Sequence, residues 1–337
     1  MKVYYYSEMQ DLIEKSGVGR AIYHQQSAAG QNQIELAGGL EDADIVHINT
    51  VFPKSLLLAK KAKKMGIPVV YHAHSTEEDF RNSYIGSNVC SPLFGKWIKY
   101  CYQQGTVIVT PTKYAGKLLL SYGIRKPIEV VSNGVNLHFY DREKGNRASF
   151  REKYGYSDTD KIIMSVGLTI ERKGVTDFVE LAKRMPEYQF LWFGETNLNT
   201  VPASTRNAVE TKFPNLRFAG YVKPEELRDA YVGCDLFLFP TREETEGIVV
   251  LEALSMKTPM LLRNIPVYED WLPADSTVYK ADNVDSFEEL TRKILSGSHP
   301  DLTEAGYRVA EDRSLEKIGQ RLGEIYRNCL EETRKAR

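Results

Sequence analysis

Cysteine is scarce in this sequence of 337 residues, which contains only Cys90, Cys101, Cys234 and Cys329. No two of them form a Cys-x-x-Cys pair or a metal-binding spacing, so the simplest interpretation is a cytoplasmic chain with reduced thiols. Long apolar runs are missing too, since none reaches the about 18–20 residues of a membrane-spanning helix. The N-terminal segment has a short strand pattern and not the pattern of a signal peptide.

Net charge is almost absent, at −1, but it is unevenly distributed. Between Val51 and Lys126, twelve lysines and arginines stand against three acidic residues. An excess of positive charge in one half of a chain favours an anionic partner, namely a nucleic acid, a phosphate group or an anionic lipid surface. Nucleic acid is disfavoured because the sequence has no aromatic RNA-binding motif and its second half is rich in glutamate.

Short apolar runs alternate with helical patterns through the whole chain, and the hydrophobic content of 42% is enough for ordinary cores. This rhythm is typical of α/β domains with parallel, doubly wound sheets. In the first half, strands are predicted at 2–6, 44–49, 68–72, 106–110 and 128–131, and helices at 18–29, 53–65, 92–104 and 112–121.

The same rhythm restarts after a polar stretch. Strands are predicted at 162–166, 189–193, 216–219, 235–239 and 259–263, and helices at 174–184, 224–232, 247–256, 286–296 and 315–330. The length suits two domains of roughly 150 residues each. We expect a first domain at 1–140, a linker at 141–160, a second domain at 161–312 and a terminal helix at 313–337. Ligands of such sheets bind at the carboxyl ends of the strands.

The most informative segment begins at the end of a predicted strand and runs through an acidic loop into a helix opened by Gly247. Free backbone N–H groups at a helix start bind anions, and glycine lets a phosphate approach closely. Glu244 and Glu252 stand on either side of Gly247, and carboxylates accept hydrogen bonds from hydroxyl groups. A phosphate between two carboxylates fits a nucleotide sugar.

Two further motifs follow predicted strands. Gly17 and Gly19 lie in the first strand–helix connection, where glycines let backbone N–H groups reach an anion or a sugar. Arg172 and Lys173 precede Gly174 at a helix start, a pattern suited to a diphosphate. Each motif also has an interpretation without a function. Gly17 and Gly19 could form an ordinary glycine turn, and Arg172 and Lys173 could be solvated surface cations.

Two histidines, His72 and His74, close the strand predicted at 68–72. An imidazole at the carboxyl end of a strand faces the cleft and can hydrogen-bond a hydroxyl or carbonyl group. The pair could instead bind zinc, but no third ligand lies nearby in the sequence, or it could be buried for structural reasons. The sequence therefore predicts no metal site.

With these residues in view, the chain resembles a GT-B glycosyltransferase of the large retaining family four. The resemblance covers nearly the whole chain and implies two Rossmann-like domains with a cleft between them and a C-terminal helix crossing back to the first. It rests on Glu244-x7-Glu252 with Gly247, on Ser16-Gly17-Val18-Gly19, on Arg172-Lys173-Gly174, on residues 132–136 and on residues 310–316.

The resemblance implies a role for each motif. Glu252 would hold the ribose hydroxyls, and Glu244 would contact the transferred sugar. Arg172 and Lys173 would hold the diphosphate together with the start of the helix. The residues implied at that helix start are Glu246, Gly247, Ile248 and Val249.

The same resemblance implies that His74 contacts the sugar near the reacting carbon. Gly17 and Gly19 would approach the diphosphate or the sugar when the domains close. The reaction would need neither metal nor cofactor, and replacing Lys173 by alanine should lower turnover strongly with little loss of folding.

The chain departs from the family pattern at two places. Leu168 follows Gly167 where the family often has arginine, so one diphosphate cation is missing. Glu246 stands where the family often has phenylalanine, and with Glu243 it crowds Glu244. The assignment of Glu244 therefore rests on its register with Gly247.

Within the family, residues 74–83 are similar to Gram-positive enzymes that add a second hexose to glucosyl-diacylglycerol. The donor implied is UDP-glucose or UDP-galactose, and the acceptor is a membrane glycolipid. A polyprenyl-linked precursor, a soluble acceptor, and a sugar-nucleotide epimerase or phosphorylase of the same architecture stay open as alternatives.

A membrane surface is also suggested by basic residues interleaved with apolar and aromatic ones. The helices predicted at 53–65 and 92–104 combine both kinds of residue. We expect a cytoplasmic protein that is peripheral on the inner face of the cell membrane. The residues expected to contact the membrane are Lys60, Lys61, Lys63, Lys64, Trp97 and Lys99.

Overall fold

Two six-stranded, all-parallel sheets form the framework of the computed structural model, which describes residues 1–9 and 16–335. Each sheet separates two clusters of buried apolar side chains, so both of its faces are covered. Strands buried on both faces explain why the sequence shows continuous apolar runs and not an alternating pattern.

The first sheet has the strand order β2-β1-β3-β4-β5-β6. Its elements are β1 (Lys2–Tyr6), α1 (Gly17–Gln31), β2 (Glu35–Leu36), β3 (Ile45–Ile48), α2 (Pro53–Lys64), β4 (Val69–His72), α3 (Glu77–Phe80), α4 (Ser87–Tyr102), β5 (Val107–Thr110), α5 (Lys113–Ser121) and β6 (Ile128–Val130).

The second sheet has the order β12-β11-β10-β7-β8-β9. Its elements are α6 (Arg147–Tyr154), β7 (Ile162–Val166), α7 (Val175–Arg184), β8 (Gln189–Phe193), α8 (Ala203–Glu210), β9 (Leu216–Gly220), α9 (Pro224–Gly233), β10 (Leu236–Phe239), α10 (Ile248–Ser255), β11 (Met260–Arg263), β12 (Tyr279–Ala281), α11 (Val284–Leu295), α12 (Thr303–Glu311) and α13 (Leu315–Lys335).

The strand order of the second sheet reverses between β7 and β10, which are neighbours although two strands separate them in the chain. Such a switch point leaves a crevice at the carboxyl ends of the two strands, where ligands of open α/β sheets bind. The loop after β7 carries Arg172 and Lys173, and the loop after β10 carries Glu244 and Gly247. The topology therefore brings the two motifs together.

All ten predicted strands form, each within one residue of its expected ends. The helix expected from position 92 begins earlier, at Ser87, so that Pro92 lies inside α4. Proline removes the hydrogen bond to the carbonyl group four residues before it. That carbonyl group, of Asn88, instead accepts a hydrogen bond from the Ser91 hydroxyl at 3.2 Å.

The stretch 141–160, expected as a linker, contains helix α6. Its buried side chains are Phe150, Arg151 and Tyr154, so a cation occupies part of its inward face and hides the amphipathic pattern. Arg151 donates through Nη2 to Asp235 Oδ2 at 2.8 Å and through Nε to the Gly233 carbonyl oxygen at 3.2 Å. The helix is therefore part of the second domain.

Helix α13 crosses back and packs on α1 of the first domain. Its side chains Ile318, Leu322, Ile325 and Tyr326 join the apolar cluster on one face of the first sheet. Where the chain returns, the Val135 amide donates to the Arg313 carbonyl oxygen at 2.9 Å, so the two connections between the domains lie side by side.

Two glycines of α13 provide a matched test of this packing. A Cβ atom at Gly319 would overlap the Asn32 side chain and the Ala28 carbonyl oxygen, whereas at Gly323 the nearest atom would be Arg327 Nη1 at 3.4 Å. Overpacking costs about 1–3 kcal/mol, while an uncrowded Gly→Ala change in a helix gains up to about 1 kcal/mol. We expect Gly319→Ala to lower the free energy of unfolding and Gly323→Ala to leave it equal or higher. Chemical denaturation measures both, and equal effects would contradict the close contact with α1.

Candidate active site

The loop after β7 is held against the end of β10 by glycine. Gly174 has φ of 75°, and a Cβ atom there would collide with the Pro240 carbonyl group. Glycine adopts this left-handed conformation without a steric penalty. The Arg242 amide also donates to the Arg172 carbonyl oxygen at 2.8 Å. The two loops therefore form one unit that fixes Arg172 and Lys173 beside the acidic segment.

At the centre of this unit, the Lys173 ammonium group pairs with the Glu244 carboxylate. Thr241 Oγ1 donates to Glu244 Oε1 at 2.9 Å, and Arg172 Nη1 lies 4.0 Å from Glu244 Oε2. The side chains of Lys173 and Glu244 are only 15% and 8% exposed. Sequence analysis expected these three charged residues in one site, and the structure brings them together.

Burial opposes ionisation on both sides of this pair. It lowers the pKa of Lys173 below the ordinary lysine value although Glu244 acts in the other direction. For Glu244 burial is again the largest influence, but the charges of Lys173 and Arg172 outweigh it and hold the pKa below the ordinary value. The charge of Asp79, a buried residue of the first domain, also acts on Lys173 and Arg172. The loops thus hold two cations side by side, an arrangement suited to a diphosphate.

Gly247 opens α10 with φ of 90°. The first N–H groups of a helix have no acceptor within it and point toward an anion, so Ile248 and Val249 offer donors here. A Cβ atom at Gly247 would lie 3.2 Å from the Tyr268 hydroxyl. That buried hydroxyl has no hydrogen-bond partner among residues 1–9 and 16–335. Tyr268, which the sequence analysis did not single out, is a further donor beside the helix start.

Glu252 lies one turn further along α10 and is buried. Its carboxylate accepts a hydrogen bond from the Tyr231 hydroxyl at 3.0 Å and lies 3.6 Å from Nε of Arg20. Burial raises the pKa of Glu252, while the Arg20 charge opposes that rise. Because Arg20 belongs to α1, a residue of the first domain reaches the carboxylate expected to hold ribose.

The first domain contributes the opposite wall of the cleft. Gly17 begins α1, and no atom in the described part of the chain lies within 4 Å of a Cβ atom placed there. The Gly19 amide donates to the Ser16 hydroxyl, 3.4 Å away, which caps the helix. The approach of a diphosphate or a sugar to Gly17 and Gly19 stays a prediction.

His74 follows β4 and is 8% exposed. Its Nε2 lies 2.9 Å from Asn49 Oδ1, an acceptor, so Nε2 carries the proton and Nδ1 the lone pair. Burial lowers the pKa of His74 to about 3. The imidazole is therefore neutral at physiological pH and acts as a hydrogen-bonding group and not as a cation.

The Glu246 side chain contacts the first domain. Its side chain is 0% exposed, and Oε2 accepts hydrogen bonds from the backbone and side-chain nitrogens of Asn133, each at 2.8 Å. The carboxylate therefore ties the segment after β6 to the start of α10. The other oxygen, Oε1, has no hydrogen-bond partner among the described residues, and a substrate contact from this side chain stays a prediction.

Residues of the first domain to which the sequence assigned no role close over the loop of Arg172. Ser83 Oγ accepts from Arg172 Nε at 3.2 Å, and the Tyr114 hydroxyl donates to Glu243 Oε1 at 2.9 Å. Burial raises the pKa of Glu243 to about 7 and that of Asp79 above its ordinary value. Asp79 and Ser83 belong to the segment 74–83 that the sequence singled out, but the pattern Thr76-x-x-Asp79 predicts only a helix cap and not a contact with Arg172.

Across residues 1–9 and 16–335, no group of three or more His, Cys, Asp and Glu side chains could hold a metal ion. That the reaction needs no metal and no cofactor stays a prediction.

The fold and the cleft define a two-domain glycosyltransferase, and comparison with known proteins agrees. The family model "Glycosyltransferase Family 4" matches residues 15–139, and "Glycosyl transferases group 1" matches residues 146–309. The processive diacylglycerol alpha-glucosyltransferase of Acholeplasma laidlawii is 39% identical over 98% of this chain and 99% of its own. The chain belongs to the family-four glycosyltransferases of the GT-B fold.

Two further matches support this assignment. The alpha-galactosylglucosyldiacylglycerol synthase of Streptococcus pneumoniae is 28% identical over 90% of this chain and 83% of its own. The crystal structure of HepE from Anabaena with UDP and glucose superposes with a TM-score of 0.76, covering 97% of this chain and all of HepE. At 12% identity, this last likeness concerns the fold alone.

Because Lys173 is buried and paired, replacing it should lower both the rate of the reaction and the stability of the fold. We expect Lys173→Ala to lower kcat about 100-fold or more, because one preorganised cation is lost. It should also lower the Tm, since Glu244 would remain buried with its main partner gone. This corrects the expectation of little loss of folding, because the pair is buried.

A double variant separates these two effects. Lys173→Met with Glu244→Gln removes both charges while nearly preserving side-chain volume, so it should regain the Tm but not the activity. Thermal unfolding and turnover of the UDP-sugar are measured for both variants, with the exposed Lys183→Ala as control. Recovery of activity together with stability would contradict a role for the cation in catalysis.

The buried histidines predict a pH dependence. Burial, followed by the charge of Arg20, lowers the pKa of His24 to about 4, against about 6.5 in an unfolded chain. Between these values only the unfolded state binds the proton, so the contribution of His24 to stability is lost as pH falls from about 6.5 to about 4. As the pH falls through this window, the free energy of unfolding of His24→Asn should rise relative to that of the wild type by about 1.4 kcal/mol per pH unit.

Asparagine suits this test because its amide can still donate to the Asn133 and Gly134 carbonyl oxygens that His24 Nδ1 contacts. The free energy of unfolding is measured by urea denaturation at several pH values. A constant difference between His24→Asn and the wild type would contradict the low pKa.

Proposed function

We propose that this protein transfers a glucosyl unit from UDP-glucose to a diacylglycerol glycolipid such as monoglucosyl-diacylglycerol, with retention of the anomeric configuration. The observation that carries the proposal is the buried unit of Arg172, Lys173 and Glu244 beside the helix start at Gly247. The relatives named above are diacylglycerol glycosyltransferases, and the one that is 39% identical is a glucosyltransferase. Galactose is the second candidate for the transferred sugar.

In the proposed reaction the bond between the anomeric carbon and the diphosphate oxygen breaks. The acceptor hydroxyl oxygen bonds to that carbon on the same face, and its proton passes to the departing UDP. Arg172, Lys173 and the N–H groups at Gly247 stabilise the charge that develops on the diphosphate. Glu252 accepts hydrogen bonds from the ribose hydroxyls and Glu244 from the sugar, while neutral His74 contacts the sugar near the reacting carbon.

The proposed membrane surface lies on α2 and α4. Lys63 and Lys64 are exposed, and Leu57 and Leu93 are 64% and 73% exposed. No helix within the described residues is long and apolar enough to cross a bilayer. An exposed basic and apolar surface is what an interfacial protein presents to an anionic leaflet.

The structure modifies some of the expected contacts in this surface. Lys60 donates to the Tyr100 hydroxyl at 2.8 Å, and Lys61 pairs with Glu41 at 2.7 Å. Trp97 is partly buried and donates from Nε1 to the Val51 carbonyl oxygen at 2.6 Å. Its ring lines an apolar groove of about 630 Å³ together with Phe80, Cys90, Leu93, Phe94, Lys96 and Tyr100. We propose that this groove faces the lipid.

A transfer assay tests donor and acceptor together. The protein is incubated with anionic liposomes containing monoglucosyl-diacylglycerol and with either UDP-glucose or UDP-galactose, and the lipids are analysed by mass spectrometry. A dihexosyl lipid from UDP-glucose supports the proposal, and one formed only from UDP-galactose changes the donor. Binding of UDP-sugars without any lipid product would contradict the lipid acceptor and favour a polyprenyl-linked or soluble one.

Charge removal tests the membrane surface. Replacing Lys60, Lys61, Lys63 and Lys64 by glutamine should reduce binding to anionic vesicles by roughly 100-fold or more, since each cation near the surface is worth about 1 kcal/mol. The control replaces four exposed lysines of the second domain, Lys183, Lys212, Lys223 and Lys293. Vesicle flotation measures both variants, and equal losses would show that overall charge and not this surface governs binding.

A further inference from the structure

Three histidine rings lie in a file through the core of the first domain. His47 belongs to β3, His72 ends β4 and His74 follows it, and all three are buried. The rings of His47 and His72 stack with centroids 5.3 Å apart, and those of His72 and His74 stack at 4.1 Å with 4° between their planes. The file leads from the interior to the residue proposed to contact the sugar.

Hydrogen bonds join this file to the C-terminal helix. His72 Nδ1 lies 3.0 Å from Gln25 Nε2 and 3.1 Å from His47 Nε2. His47 Nδ1 lies 2.5 Å from the Tyr326 hydroxyl of α13, which lies 2.9 Å from the Tyr5 hydroxyl of β1. The contacts form one continuous chain from α13 to β4.

The chemistry of the groups assigns a direction to this chain. With the amide nitrogen of Gln25 facing His72, His72 Nδ1 is the acceptor, and Gln25 Oε1 has no hydrogen-bond partner among the described residues. The one lone pair of His72 Nδ1 is then shared between Gln25 Nε2 and His47 Nε2, which carries a proton. His47 Nδ1 then accepts from Tyr326, whose oxygen accepts from Tyr5. Each imidazole in the chain is thereby restricted to one neutral tautomer.

His72 Nε2 holds a proton as a result and has no hydrogen-bond partner in the described part of the molecule. An unsatisfied buried donor destabilises a fold, and an apolar ring of the same shape would avoid this cost. The ring of His72 is stacked on His74, which is fixed on another side by Asn49. A polar ring placed at a cost beside a reacting group is a candidate for positioning it.

We propose that His72 is a positioning residue for His74, and that Tyr326 of the C-terminal helix orients His72 through His47. The helix that crosses back to the first domain would then determine the placement of a side chain in the cleft. The inference rests on the proposed function, because that function assigns His74 to the transferred sugar.

Two tyrosine variants test the chain. Tyr326→Phe removes the donor to His47, whereas Tyr5→Phe removes only the end of the chain and leaves that donor in place. We expect Tyr326→Phe to lower kcat about five-fold or more with KM for UDP-glucose within about two-fold, as for a group that acts on placement in the transition state. Tyr5→Phe should leave both constants within about two-fold. Equal kcat values for the two variants would overturn the proposal.

Two substitutions of His72 separate the ring from its hydrogen bond. His72→Asn keeps a polar atom that can take the place of Nδ1 but loses the stacked ring, and His72→Phe keeps a ring but loses the acceptor. Each should lower kcat with little change in KM for the donor, and wild-type kcat in both would overturn the proposal. If circular dichroism shows that either His72 variant is unfolded, the comparison of Tyr326→Phe with Tyr5→Phe still tests the proposal.

Two measurements test the role of His72 independently of the identity of the acceptor. The slow hydrolysis of UDP-glucose without any acceptor reports on His74 even if no glycolipid is glycosylated. Long-range ¹H–¹⁵N spectra of the histidine rings report the tautomers directly. We expect the His72 signals to shift in Tyr326→Phe and to stay in place in Tyr5→Phe, and unchanged His72 signals in both would overturn the coupling.

Discussion

The buried ion pair of Lys173 and Glu244 is the constraint on which the rest of the site depends. A cleft that binds a diphosphate in a dry environment must bury cations, and buried cations need a counter-charge to remain ionised. The loops after β7 and β10 meet this requirement because they lie at the switch point of the second sheet. Gly174 permits the close contact between the loops, so backbone geometry and electrostatics are satisfied together.

The two domains are joined around this pair by polar contacts and not by apolar packing alone. Arg20 reaches Glu252, Tyr114 reaches Glu243, and Asn133 holds Glu246. Polar contacts across a cleft can be exchanged for contacts with a ligand, whereas an apolar interface offers no such exchange. The first domain therefore contributes to the cleft through side chains that already have partners in the second domain.

Helix α13 connects this arrangement to the core of the first domain. Its apolar face completes the cluster on one side of the first sheet, and its Tyr326 enters the hydrogen-bonded file of histidines. One helix thus supplies both the burial that ties the ends of the chain together and a polar contact directed toward the cleft.

The sequence by itself determined ten of the twelve strands and most of the helices, because these depend on local periodicity. It also placed the motifs of the second-domain site after strands, because the members of each motif are close in the chain. Helix α6 was hidden by the buried Arg151, whose partner Asp235 lies far along the sequence. Only the tertiary structure decided that Glu246 binds Asn133 and that hydrogen bonds connect Tyr5 and Tyr326 to the buried histidines. Such contacts join residues tens to hundreds of positions apart, and no local pattern in the chain specifies which of them will meet.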